Sequence, residues 1–112
     1  MERLPVLKGT LDVLVLKALI FGPEHGYAVA RWIRDTTDGA LEIEEGALYT
    51  ALHRMEKRGW LKSEWGQSEN NRRAKYYAVT EEGRKQLRAG EKSWSEYAEA
   101  VFKVLRAAEG RA

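Results

Sequence analysis

The chain has 112 residues, 44% of them apolar and 32% charged, which describes one ordinary globular domain and excludes a disordered tail. It contains no cysteine, so disulfide frameworks and thiolate metal sites are excluded, and no apolar run nears the roughly 20 residues of a membrane span. The formal charge of +2 is too small to mark a nucleic-acid binder by itself, so such a role must rest on where the charges lie.

The basic-then-apolar start of a signal peptide is missing, and with no cysteine the expected compartment is the reducing cytoplasm. Residues 10–21, "TLDVLVLKALIF", are apolar almost all round, which predicts a short buried helix with Thr10 placed to cap its start. "GPEHG" at 22–26 is turn chemistry. A second helix is expected from Tyr27 to Thr37, with Gly39 as a left-handed stop. "LEI" at 41–43 reads as a short extended piece. It leads into a third helix from about Glu44 to Arg58, stopped by Gly59.

That third helix buries Leu48, Leu52 and Met55, while its other face carries Gly46, Thr50, His53, Arg54 and Lys57. Acidic residues in its first turn and basic ones in its last follow the helix dipole. "WLKSEW" and "AKYYAV" then predict a β-hairpin around a long polar loop, "GQSENNR", in which Asn70 and Asn71 tolerate left-handed backbone. The region from 66 to 77 carries Arg72, Arg73 and Lys75 against a single acid, Glu69. Alternation puts Arg73 and Lys75 on one strand face and Ala74 and Tyr76 on the other. Residues 80–110 predict one long helix, or a helix broken near Gly90.

Helix, turn, helix, then a two-stranded hairpin is the winged helix-turn-helix order, an α+β fold that is mostly α. In that arrangement the second helix of the pair lies in the major groove of double-stranded DNA. Small residues at its start, Gly46 and Ala47, allow close approach. Tyr49, Thr50 and His53 are then placed to exchange hydrogen bonds, and Arg54 and Lys57 to reach phosphates. The helix N-terminus favours a phosphate, although Glu44 and Glu45 oppose one placed beside them. Arg72, Arg73 and Lys75 supply the cations that backbone or minor-groove contact requires.

"GALYTALHRMEKRGWLKSEWG" followed by "RRAKYYAVTEEGRKQL" closely resembles the PadR family of bacterial transcriptional regulators. "LKGTLDVLVLKAL" and "HGYAVA" are similar to that family's first two helices, and the resemblance runs from Leu7 to about Leu105. It implies a winged helix-turn-helix, dimerisation through the last helix, and repression by operator binding. The resemblance also places Tyr49 and the wing residues Arg72, Arg73 and Lys75 at the DNA. Proline often follows the tyrosine in the family, where this chain has Thr50. The length matches the branch with a short C-terminal region and a single dimerisation helix. Residues 1–79 are accordingly expected as the DNA-binding part and 80–112 as the dimerisation helix of one compact unit.

Leu87, Trp94, Ala98, Val101, Leu105 and Ala108 are spaced 7, 4, 3, 4 and 3 apart, a heptad seam interrupted at Glu91 and widened by Tyr97, Phe102 and Val104. A stripe this broad predicts a homodimer, with half-sites roughly 34 Å apart on DNA. Some relatives in the family bind aromatic or drug-like effectors between subunits, so Trp94 and Tyr97 carry two readings, dimer core and effector platform. Trp32, Trp60 and Trp65 read as packing residues. His25 is expected in the turn before helix 2, hydrogen-bonding locally. With only His25 and His53 and no paired catalytic motif, neither an enzyme nor a metal or cofactor site is expected. The rival to a DNA-binding repressor is a winged-helix module that binds protein alone. The cations at 54, 57 and 72–75 discriminate, since a protein binder has no need of them.

Overall fold

The computed structural model of the protein describes residues 9–108. The outermost ends of both expected units, 1–8 and 109–112, lie outside the described residues. The elements run α1 (Leu11–Leu19), β1 (Glu24–His25), α2 (Gly26–Thr36), α3 (Glu45–Lys57), β2 (Leu61–Gln67), β3 (Arg73–Val79) and α4 (Glu81–Leu105). The strands form one antiparallel sheet in the order β1-β3-β2, with Leu61 opposite Val79 and Trp65 opposite Lys75. Among the described residues, no helix is long and apolar enough to cross a membrane.

The core is made where α1, α2 and α3 turn their apolar faces together over the sheet. Val15, Leu16 and Leu19 of α1, Val29 and Ile33 of α2, and Leu48, Leu52 and Met55 of α3 are all buried there, with Leu61 and Tyr77 from the hairpin. Ile43 just before the α3 cap and Leu48 in its second turn both enter this cluster. That is the arrangement of a hydrophobic staple, and it fixes how the chain enters α3. Gly39 (φ +83°) ends α2 with its N–H donating to the Arg34 carbonyl at 2.8 Å, and Gly59 (φ +79°) follows α3, as the sequence predicts.

Three local expectations need correction. The third strand comes from Glu24–His25, inside the expected turn, and pairs with Tyr77 and Tyr76; at 41–43 there is only an isolated bridge at Leu41. A two-residue strand has no periodicity to read, and its flanking Gly22 and Pro23 dominate the local signal. Thr10 makes no side-chain cap to α1; its hydroxyl oxygen accepts from the Trp94 indole N–H at 3.1 Å instead. The hairpin loop is short, because β2 runs through Gln67. A five-residue turn, 68–72, is closed by Ser68 N–H to the Arg72 carbonyl at 2.8 Å, with Asn71 left-handed (φ +59°). Of the two courses expected for α4, one long helix is found: it passes through Gly90 unbroken. A Cβ there would lie 2.7 Å from Val13 Cγ2, so Gly90 is the point where α4 closes onto α1, not a break.

The start of α4 is anchored: the Thr80 hydroxyl accepts from Gly83 N–H at 3.0 Å and donates to the Gly59 carbonyl. Lys17 of α1 pairs with Glu91 at 3.2 Å. Beyond that pair and the Trp94 hydrogen bond to Thr10, α4 leaves the body of the domain, and the chain's long axis is 61 Å.

Candidate nucleic-acid interface

Helix α3 sorts its residues by face. Leu48, Ala51, Leu52 and Met55 are buried, whereas Gly46, Tyr49, Thr50, His53 and Lys57 are exposed and recur every three or four positions, forming one stripe. Tyr49 is held rather than loose. Its ring lies over Gly26 at the start of α2, where an added Cβ would fall 2.8 Å from the Tyr49 hydroxyl oxygen. His25 caps α2, its Nδ1 accepting from Ala28 N–H at 3.2 Å, which matches the local hydrogen bond expected of it.

Two expected cations are already engaged. Arg54 lies beside the stripe and pairs with Asp12 at the start of α1, so it ties α3 to α1 while staying partly exposed. Lys75 sits 3.5 Å from Glu56, which also accepts from the Ser63 hydroxyl. Lys57 and Arg72 are exposed and make no ion pair among the described residues. The single acid of the wing, Glu69, is drawn to Arg31 of α2 at 3.7 Å.

Arg73, Lys75 and Tyr77 share the strand face that looks toward α3, as the alternation predicts, and Tyr77 completes the core beneath them. Burial, with the charges of Glu56 and Tyr49 nearby, pushes the Tyr77 phenol above its ordinary pKa. Between α3 and the hairpin runs an open groove of about 700 Å³, bordered by Tyr49 and His53 on one side and Arg72, Arg73 and Lys75 on the other. Trp65 borders it too. The expectation that Trp65 packs within the chain fails, because 58% of it is exposed and its main contact is the Arg73 guanidinium, 4.5 Å from the ring centre. Its parity with buried Leu61 suggests a core face; only the register, which sets Trp65 opposite Lys75, reveals that the strand has by then left the core. Trp60 does pack against the core, while Trp32 is exposed beside Phe21.

The expected dimer seam divides in two. Leu87 is only 4% exposed and belongs to the chain's own core, so it has no surface to offer a second chain. Trp94, Tyr97, Val101 and Leu105 are exposed, with Phe102 and Val104 beside them, and Ala98 is half-buried. Trp94 and Tyr97 border a shallow hollow with Thr10, Val13 and Gly90. Among the described residues, no group of three His, Cys, Asp or Glu side chains gathers where a metal ion would fit.

Comparison with known proteins places this architecture. The chain matches the transcriptional regulator PadR-like family across residues 15–89. It is 36% identical to the solved structure of a PadR family transcriptional regulator from Eggerthella lenta, with a TM-score of 0.76 and coverage of 90% of this chain and 86% of that one. A transcriptional regulator from Clostridium thermocellum is 35% identical, with a TM-score of 0.79 over 88% of this chain and 95% of that one. An uncharacterized protein of Lysinibacillus sphaericus is 28% identical over 101 residues, which is 90% of this chain and 93% of that protein. The chain is a member of the PadR-like family of transcriptional regulators.

Proposed function

We propose that the protein is a cytoplasmic homodimeric repressor that binds a pseudo-palindromic operator. The α3 stripe enters the major groove and the wing lies on the backbone or in the minor groove. One observation carries this reading: Tyr49 and His53 of α3 and the wing cations Arg72 and Arg73 border a single groove, while the wing's own acid is engaged by Arg31. A polyanion fits that distribution of charge. Base contacts come from Tyr49, Thr50 and His53, with Gly46 letting the helix end approach; Lys57 and the wing arginines hold phosphates. Arg54 and Lys75, paired with Asp12 and Glu56, shape the surface more than they grip it. The bare apolar stretch of α4 supplies the two-fold contact, with Trp94 and Tyr97 at its inner end.

The test is a titration of the purified protein against its own promoter region and against random DNA at several salt concentrations. Two-fold-symmetric protection with a steep salt slope on the promoter alone is the expected result. Absence of binding even at about 50 mM salt would replace the repressor with a protein-interaction module.

A further inference from the structure

Trp65 is the largest side chain on the wing and the one least explained by folding. It stands on a β-strand with 58% of its surface exposed, and the in-chain contact that holds its ring is a cation, Arg73. An exposed indole clamped by a guanidinium is already fixed in orientation, so a ligand meeting it loses little side-chain freedom. The register sets Trp65 opposite Lys75, on the face that looks toward α3, so the ring borders the same groove as Tyr49 and His53.

The groove therefore sets an apolar plate, Trp65, among the cations Arg72, Arg73 and Lys75, and the acid that also borders it, Glu69, is paired with Arg31. A small free anion has no use for the indole, and an apolar peptide would leave the arginines unpaired. A sugar-phosphate strand satisfies both, since each nucleotide presents one charged phosphate and one uncharged sugar. We infer that Trp65 and Arg73 form a preassembled plate on the wing. The indole packs against a deoxyribose of the DNA strand lying between α3 and the hairpin, and the wing arginines Arg72 and Arg73 hold the phosphates on either side of it. Such a contact senses where the sugars stand, and so reads the shape of the duplex rather than its base edges. This inference rests on the repressor reading above.

The experiment compares the intact protein with Trp65→Ala, Trp65→Phe and Arg73→Ala on its own promoter duplex, by salt titration and by hydroxyl-radical protection of the sugars. Trp65→Ala is expected to lose about tenfold or more in affinity with an unchanged salt slope. It should also re-expose one or two deoxyriboses in each half-site. Trp65→Phe keeps most of the affinity. Arg73→Ala lowers the salt slope by about one. Trp65→Thr, a strand-favouring substitution, gives the same reading if the alanine variant folds poorly. Wild-type affinity in Trp65→Ala with every sugar still protected overturns the inference and leaves the repressor standing. Tighter binding to single-stranded than to duplex DNA, abolished by Trp65→Ala, also overturns it in favour of base stacking. Failure of the unmodified protein to prefer its promoter overturns both readings together.

Discussion

Helices α3 and α4 are both amphipathic, both have a face in the same core, and they leave opposite chemistry outside. On α3 the uncovered stripe is Tyr49, Thr50, His53 and Lys57, polar enough to stand in water unaided. On α4 beyond Gly90 it is Trp94, Tyr97, Val101, Phe102 and Leu105, which water does not suit. On the proposed reading, the first surface is complete in one chain and the second is completed by a partner chain. Amphipathicity alone therefore says little about role. What separates a reading surface from an assembly surface is the chemistry of the face the core does not take.

The largest expected effect tests where the boundary on α4 falls. Leu87→Ala should destabilise the chain by about 2–5 kcal/mol, because it opens a cavity in the chain's own core. Denaturant unfolding should show the loss without a matching change in the dimer's dissociation constant; weakened association at unchanged unfolding would return Leu87 to the seam. Next, Val101→Glu puts an unpaired charge into the proposed interface at a cost of about 2 kcal/mol or more per copy. Sedimentation should find monomers with intact helical content, and an undisturbed dimer would move the contact elsewhere. Tyr49→Ala should cost about 1–3 kcal/mol of operator binding with the dimer unaffected. Equal affinity there would strip α3 of its central contact. The smallest effect is Asp12→Asn, which releases Arg54 from α1. Its salt slope on random DNA should steepen by about one, and an unchanged slope would show that Arg54 stays off the phosphates even when unpaired.

Much of the fold is legible in the amino-acid sequence. Helical periodicity, the glycine stops after α2 and α3, and the alternation in "AKYYAV" are local signals, and the elements they predict are present at nearly the expected bounds. What stays hidden is long-range. Asp12 and Arg54 stand 42 residues apart, and nothing near either residue announces their pairing. Glu56 and Lys75 meet only once the hairpin has folded back on α3. Leu87 keeps heptad register with Val101 because one helical period serves both the core beneath α4's first turns and the bare stripe farther along. Trp65 defies its local pattern for the same reason that β1 hides in a turn: pairing partners, not the residues themselves, decide which side of a short strand is inside.

The unbroken course of α4 through Gly90 has a mechanical consequence. At about 1.5 Å per residue, its 25 residues make a rod of about 37 Å, riveted at its base to the body that carries α3. In the proposed dimer, joined from Trp94 outward, the part of that rod from Glu81 to Trp94 is a lever of about 20 Å with its pivot at the joint. A swing of about 10° there carries the base through about 3 Å, close to the 3.4 Å that separates successive nucleotides along one strand. On the proposed reading, a repacking of aromatic side chains at the pivot would bring the two α3 helices into step with the DNA, or put them out of phase.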